Sequence, residues 1–168
     1  MFFLCDILSG LVIRDGSLGS PIRRDVRMRL NDTTDLALRV MIYAASMKDR
    51  RFTIDHLVEA YHAPRSTVMK VVNALTRGEF LTAQRGRSGG LGLARAAQEI
   101  GVGTIVRHME TDFDLVECMR SGGDCAITAS CRLISPLAEA RAAFLATLDN
   151  YTIADIAISP RDFGLAIS

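Results

Sequence analysis

Three cysteines lie close together in the second half of the chain and could bind a metal. Cys118 is followed after six residues by Cys125, and Cys131 comes after five more. The run Ser121-Gly122-Gly123-Asp124 lies between the first two cysteines, and it bends easily because glycine tolerates positive φ. A short loop that directs several thiolates inward suits a soft metal centre. The three cysteines are therefore the candidate metal ligands.

The spacing of these cysteines favours one kind of metal site over another. Zinc sites usually contain CxxC pairs, because two thiolates on one tight turn suit a tetrahedral ion. Here there is no CxxC, and no histidine follows Cys131. An iron–sulfur cluster tolerates wider spacing and is favoured, while a zinc site and plain buried thiols stay open as alternatives. A fourth ligand must come from elsewhere or be exchangeable.

The charge distribution indicates a surface for nucleic acid. The net charge of the 168 residues is only +1, but residues 65–95 contain six basic side chains and one acid. From residue 96 onward there are ten acids and five arginines. A basic segment followed by an acidic half is typical of a nucleic-acid-binding part joined to a regulatory part. Chance clustering on a solvated face is the alternative.

No signal in the sequence directs the chain to a membrane or to secretion. There is no apolar run of the length that a transmembrane helix needs, so we expect no membrane association. The segment from Met1 to Leu8 is apolar, but it lacks a basic region and contains Asp6. We therefore expect a cytoplasmic protein, in which clustered cysteines more often bind metals or take part in redox chemistry than form disulfides.

A helix-turn-helix is predicted between residues 31 and 78. Asn31 or Asp32 can cap a first helix that runs to about Lys48, and Thr53 can cap a short second helix. Pro64 suits the first position of a third helix, which Gly78 would end. Two short helices joined by a tight turn form this motif. The residues on the outer face of the third helix are the candidate DNA contacts, although an ordinary polar face is the alternative: Arg65, Ser66, Thr67, Lys70 and Asn73.

A β-hairpin is predicted directly after this helix. Phe80 to Gln84 and Leu91 to Ala94 have the pattern of paired strands. The loop between them is basic and rich in glycine, and it contains Arg85, Arg87, Ser88 and Gly89. A hairpin in this place is the wing of a winged helix-turn-helix, whose arginines would reach phosphates or the minor groove. A nucleotide-binding loop is disfavoured because no βαβ pattern surrounds it.

The second half of the chain is predicted to be helical around the cysteines. A helix is expected over Gln98 to Glu110, and a longer one over Arg132 to Asn150 with a wide apolar stripe. Pro136 fits the longer helix only if the first turn lies close to it. Because a double-stranded site is read well by a twofold protein, we expect this stripe to pack in a homodimer. Thr152 can cap a last turn, and a loose tail is expected from Pro160 onward.

These patterns together predict a mainly α fold with a small β-hairpin wing, that is, a winged helix-turn-helix plus a long dimerisation helix. We divide the chain into four parts. We expect residues 1–27 to form a poorly ordered extension. Our hypothesis is that Met28 is the biological start, and a basic arm that contacts DNA is the alternative. Residues 28–95 bind DNA, residues 96–158 hold the cluster-binding loop and the dimerisation helix, and residues 159–168 form the tail.

The same residues carry a resemblance to a known family. The start Met28-Arg29-Leu30, the stretch Thr34 to Arg39, the wing Arg85 to Leu91, the three cysteines and Leu148-Asp149-Asn150-Tyr151-Thr152 resemble the winged-helix iron–sulfur repressors. That family includes the IscR, RirA and NsrR groups. The resemblance covers about residues 28 to 158, and the LDNYT stretch is most similar to the nitric-oxide-sensing NsrR group.

The resemblance implies a cofactor, a partner and a signal. The cluster, 2Fe–2S or 4Fe–4S, would be held by Cys118, Cys125 and Cys131. IscR-like members have a histidine three residues after the third cysteine, where this chain has Ile134. In NsrR-like members an aspartate of the other subunit serves, which corresponds to Asp35; a first-turn partner of the helix dipole is the simpler interpretation.

The implied function is that of a homodimeric repressor on a double-stranded DNA operator, which releases the operator when nitric oxide reacts with the cluster. An iron- or redox-responsive regulator of the same family and a zinc-stabilised DNA-binding module are the alternatives. An enzyme with a catalytic cysteine is disfavoured, because no histidine lies in a local signature with a cysteine.

Overall fold

The computed structural model describes residues 29–48, 50–86, 89–116, 119–120 and 125–163. These residues form five α-helices and one antiparallel hairpin, which confirms the predicted fold class. The elements are α1 Asp32–Ser46, α2 Ile54–Tyr61, α3 Arg65–Arg77, β1 Leu81–Gln84, β2 Gly90–Leu93, α4 Val102–Met109 and α5 Ile134–Asp149. No helix within these ranges has the length and hydropathy needed to cross a bilayer. The predicted N-terminal extension, residues 1–27, and Met28 lie outside the described residues.

α1 begins at the predicted cap and forms the centre of the core. The Asn31 side chain accepts a hydrogen bond from the Thr34 backbone N–H at 2.7 Å. The chain leaves the helix through Met47 and Lys48, whose φ is 53°. The predicted inner face is buried, with no member more than 7% exposed: Leu36, Val40, Tyr43, Ala44 and Met47.

α2 and α3 form the predicted helix-turn-helix. Thr53 caps α2 in a reciprocal pair of hydrogen bonds with His56. The turn passes through His62, which has a left-handed φ of 49°. α3 begins one residue later than predicted, because Pro64 serves as the cap residue and its carbonyl accepts the first hydrogen bonds. The predicted inner face of α3 is buried: Val68, Val71, Val72 and Leu75.

Gly78 ends α3, as predicted, but its role is to leave space. Its φ is −80°, and the left-handed residue is Glu79, with a φ of 58°. A Cβ at Gly78 would lie 2.7 Å from both the His108 ring and the Phe80 ring. The position therefore needs glycine because two rings pack against its backbone.

The two strands of the wing pair as predicted, and Phe52 pairs with the second strand from its other edge. β1 and β2 are antiparallel, with Leu81 opposite Leu93 and Gln84 opposite Gly90. On the other edge of β2, Phe52 exchanges two backbone hydrogen bonds with Leu91, at 3.1 and 2.7 Å. The sequence predicted only a polar break before Phe52, so this pairing was missed. It joins the turn between α1 and α2 to the wing.

The predicted helix over Gln98 to Glu110 is interrupted. A 3₁₀ turn covers Ala97–Glu99, and α4 begins only at Val102. The break occurs because the backbone here pairs with the segment after α5: Ile153 N–H donates to the Ile100 carbonyl at 2.8 Å, and Val102 N–H donates to the Tyr151 carbonyl at 2.9 Å. The predicted inward residues are nevertheless buried: Ile100, Ile105, Val106 and Met109.

α5 starts two residues later than predicted, and Pro136 is its third residue. A missing N–H costs nothing there, because the first-turn N–H groups have no partner within the helix. No residue of α5 is buried.

The expectation of a loose tail from Pro160 is wrong for Pro160–Phe163, which form a 3₁₀ turn. Phe163 packs edge-to-face on Tyr43 and Tyr61, with centroid distances of 5.0 and 6.1 Å, because the apolar ring finds a half-buried aromatic site there. The four-part division of the chain remains a prediction.

Candidate DNA-binding surface and metal-binding segment

The outer face of α3 presents the predicted polar residues. Arg65, Ser66, Lys70 and Asn73 are exposed and Thr67 is half-buried. Arg65 pairs with Asp55 of α2, which orients its guanidinium. The first turn of α3 contains no acid, so the positive end of the helix dipole is available to a phosphate.

Met69 lies on the same outer face and was not considered as a contact in the sequence analysis. Its side chain is 46% exposed, although methionine is usually buried. It is three residues after Ser66 and four before Asn73, so it shares their exposed face of the helix. An apolar side chain in this position can contact a thymine methyl group. The sequence signal was present, because Met69 falls outside the buried repeat of Val68, Val71 and Val72.

The wing tip is described in part. Arg85 is exposed, and it makes no ion pair with any residue that the structure describes. Gly89 donates its backbone N–H to the Gly86 carbonyl at 3.0 Å, which closes the turn. Arg87 and Ser88 lie outside the described residues. The wing therefore presents at least one exposed cation, Arg85, that has no ion-pair partner among the described residues.

Two of the three candidate metal ligands can be placed. Cys125 and Cys131 are free and half-buried. They flank a 3₁₀ turn, Thr128–Ser130, in which Thr128 donates backbone and side-chain hydrogen bonds to the Cys125 carbonyl at 3.1 and 2.8 Å. Cys118 lies outside the described residues. Among the residues that are described, no three His, Cys, Asp or Glu side chains are grouped as metal ligands.

Asp35 lies in the first turn of α1 and is 53% exposed. Its carboxylate forms an ion pair with Arg39 at 2.6 Å, one turn further along the helix. This ion pair agrees with the simpler interpretation of Asp35 as a first-turn acid. The Asp35 side chain remains accessible to solvent despite the ion pair. Arg39 is itself held in place, because its backbone carbonyl accepts a hydrogen bond from the Tyr61 hydroxyl at 2.6 Å. Burial raises the pKa of Tyr61, so this hydroxyl remains a donor.

The start of α1 is tied to the segment that carries the cysteines, residues 111–131, which we call the cysteine segment. Glu110 directly precedes it and accepts two hydrogen bonds from Asn31, one from the backbone N–H and one from Nδ2, each at 2.7 Å. The Asn31 Oδ1 meanwhile caps α1. Glu110 could not be predicted from the sequence, because a contact across 79 residues leaves no local signal.

α5 contacts α4 through an ion pair at its C-terminal end, and none of its residues is fully buried. Arg107 donates two hydrogen bonds to Asp149, each at 2.6 Å. These bonds lower the pKa of Asp149 and raise that of Arg107. Phe144 in α5 and Leu133 just before it are 44% and 53% exposed. An apolar helix without one buried residue has a surface that another protein chain could cover.

The three histidines lie in the winged helix, and two of them make hydrogen bonds that stabilise it. His56 takes part in the cap of α2, and His62 lies exposed in the turn before α3. His108 places Nε2 at 2.9 Å from the Ala74 carbonyl near the end of α3. Each histidine is accounted for by the winged helix.

Comparison with known proteins agrees with this architecture. The model of the Rrf2 family, described as an iron-dependent transcriptional regulator, matches residues 30–158. The fold is similar to CymR, the global cysteine regulator of B. subtilis, with 20% identity, a TM-score of 0.62, and coverage of 78% of this chain and 97% of that chain. Staphylococcus aureus CymR has 22% identity, a TM-score of 0.60 and coverage of 76% and 96%.

IscR of T. potens is similar as well, with 19% identity, a TM-score of 0.61, and coverage of 77% of this chain and 85% of that chain. At these identities the solved structures establish the fold, while the family match covers most of the chain. The predicted winged-helix regulator is thereby confirmed at the level of the family. The chain belongs to the Rrf2 family of DNA-binding transcriptional regulators and is not an enzyme.

Proposed function

We propose that this regulator is a homodimeric repressor that senses nitric oxide through an iron–sulfur cluster and controls genes of the nitrosative stress response. The observation that carries the proposal is the pair of free, half-buried thiols at Cys125 and Cys131, on one short segment of a winged-helix protein. Thiols of a purely structural core would be fully buried, and thiols of a disulfide would be joined. The LDNYT stretch, similar to the NsrR group, supports nitric oxide as the signal.

The donor set suits such a cluster. Cys118, Cys125 and Cys131 would supply three thiolates, and Asp35 of the other subunit would supply a carboxylate. Soft thiolates favour iron–sulfur clusters, and a carboxylate is a weaker ligand that a small molecule can displace. For this role Asp35 must exchange its ion pair with Arg39 for the metal, and its exposure permits that exchange. When bound, the cluster would supply iron that reacts with nitric oxide.

The chain can transmit a change in the cysteine segment to the DNA-binding surface. Glu110 links the start of that segment to Asn31 through two hydrogen bonds. α1, which Asn31 caps, packs directly on α3 through the shared core. A displacement of the cysteine segment is therefore expected to shift α1 and, with it, α3. In a dimer this shift changes the separation of the two α3 helices, and the operator is released.

The homodimer is proposed from the surface of α5. In the single chain Phe144 is 44% exposed, and the other large apolar residues of the helix are only half-buried. Twofold packing of this helix would cover them and place two copies of α3 on successive half-sites. It would also bring Asp35 of one subunit towards the cysteines of the other.

The first experiment tests the cofactor. The protein is purified without oxygen, and its visible spectrum, iron, sulfide and zinc contents are measured. A coloured protein with iron and sulfide is expected, and Cys125→Ala should be colourless. Cys5→Ala is the matched control and should keep the colour, because Cys5 is not a proposed ligand. A colourless protein that contains zinc would refute the iron–sulfur proposal in favour of a zinc-stabilised module.

The second experiment tests the signal. Promoter DNA is titrated with the anaerobic protein before and after stoichiometric nitric oxide, and the affinity is read from a gel shift. Loss of binding after nitric oxide is expected. Unchanged affinity would contradict nitric oxide sensing.

One alternative has support of its own. The family is described as iron-dependent, and IscR is among the similar structures, so an iron- or redox-responsive regulator is equally consistent with these similarities. Iron chelation or air would then release the DNA, and nitric oxide would have no greater effect.

A further inference from the structure

The turn between α1 and α2 places an arginine on the wing. Phe52 pairs with Leu91 on the free edge of β2, so the residue before it, Arg51, lies beside the wing strands. Its side chain runs across β2: a Cβ at Gly90 would lie 3.0 Å from the Arg51 Cβ, and a Cβ at Gly92 would lie 3.0 Å from Nη1. Arg51 is thus held along the strand that leads from the wing tip.

The burial of Gly92 shows where the Arg51 side chain packs on the wing. Leu91 and Leu93 face the core, so Gly90 and Gly92 lie on the opposite, outer face of β2. Gly92 is nevertheless buried, and the guanidinium and stem of Arg51 are the groups that cover it. Because Gly90 and Gly92 have no side chains, the outer face of β2 has room for the side chain of Arg51.

The charge of Arg51 has no partner in the part of the chain that the structure describes. Arg51 is exposed, and it is absent from the ion pairs formed there, in contrast to Arg39, Arg65 and Arg107. Gly90, against which Arg51 packs, is directly opposite Gln84, and Arg85 follows Gln84. The Arg51 Cβ lies near this end of the wing, and the guanidinium lies on Gly92, which is opposite Thr82. Arg51 therefore adds a pre-positioned cation to the outer face of the wing strands, with no ion-pair partner among the described residues.

We infer that Arg51 binds a phosphate of the DNA backbone, so that the DNA-binding surface extends from the wing to the turn between α1 and α2. The inference rests on the proposed DNA-binding function and deepens it. A guanidinium held in place by packing loses little freedom on binding a phosphate, which it can contact through two parallel N–H donors. Such a contact carries no sequence information, so it contributes to binding of any duplex.

The test uses the full chain, purified without oxygen, and a short duplex of random sequence. Arg51→Met keeps the stem on Gly92 and removes the charge. We expect its affinity to fall about tenfold at low salt, and the slope of log K against log salt to decrease by about 1 for each protomer bound. Arg51→Lys should keep most of the slope. Arg77→Met, at the far end of α3, is the matched control and should keep both affinity and slope.

A second variant, at Gly92, tests whether packing on this glycine holds the Arg51 side chain in place. Gly92→Ala should displace the guanidinium and weaken binding in the same way, but it should have no further effect in the Arg51→Met background. If the wild type binds the duplex while Arg51→Met retains the full affinity and salt slope, the inference about Arg51 is wrong and the DNA-binding proposal stands. If the wild type binds neither this duplex nor promoter DNA, the DNA-binding proposal fails first.

Discussion

Replacing Phe163 by alanine should destabilise the whole winged helix, although the residue lies near the end of the chain. The Phe163 ring packs edge-to-face on Tyr43 of α1 and Tyr61 of α2. Tyr43 is only 1% exposed and also contacts Phe52, with a centroid distance of 5.3 Å. The C-terminal turn thus covers an aromatic cluster that joins α1, α2 and Phe52, the residue that pairs with the wing strand β2.

The expected loss follows from the burial of the ring. A fully buried Phe→Ala change costs about 3–5 kcal/mol, and Phe163 is half-buried. Two edge-to-face contacts account for about 0.5–1.5 kcal/mol each. We therefore expect the free energy of unfolding to fall by about 2 kcal/mol, which for a chain of this length corresponds to a decrease in Tm of about 4–8 °C.

The assay is urea unfolding at one fixed protein concentration, because a dimer's stability depends on concentration. Ile158→Ala is the control: it lies on the same segment and is 44% exposed, so a change within about 0.5 kcal/mol is expected. A double-mutant cycle with Tyr43→Leu should give a coupling of about 0.5–1.5 kcal/mol. If Phe163→Ala unfolds at the same urea concentration as the wild type, the turn is loose and the reasoning fails.

Three further predictions concern α5. A Cβ at Gly103 would collide with Asp149 Oδ1, so Gly103→Ala should lower Tm in the wild type. In Asp149→Ala the carboxylate is gone and Arg107 is released from it, so the better helix propensity of alanine should raise Tm; an equal effect in both backgrounds would contradict the contact. Because Arg107 lowers the pKa of Asp149, the stabilisation from this carboxylate is present above its ordinary pKa near 4 and lost as pH falls through the lower, folded value. Urea midpoints across a pH series should therefore show the wild type and Asp149→Asn converging in acid, and a constant difference would refute this. If the proposed dimer forms through α5, light scattering should show Phe144→Glu as a monomer and Met69→Glu as a dimer; a dimeric Phe144→Glu would argue against α5 as the interface.

Local signals in the sequence were enough to predict most helices and the wing. Asn31 and Thr53 act as caps because their side chains reach N–H groups only three residues away. The glycine-rich run between two apolar segments predicts a hairpin for the same reason, since the turn and both strands are neighbours in the chain. The inner faces of α1 and α3 followed from the helical repeat of apolar residues. The type and spacing of the cysteines predict a metal site as well, and that site remains a prediction.

Contacts between distant residues were decided only by the tertiary structure. The chain after α5 interrupts the predicted helix at Ile100, and Phe163 finds its site on Tyr43, because both depend on how the C-terminal segment returns to the core. The same holds for Glu110 on Asn31 and Arg51 on Gly92. A side chain's local sequence determines which interactions it can make, but its partner depends on the packing of elements far apart in the chain. The physical reason is that the free energy of such a contact is gained only after the core has brought both partners together.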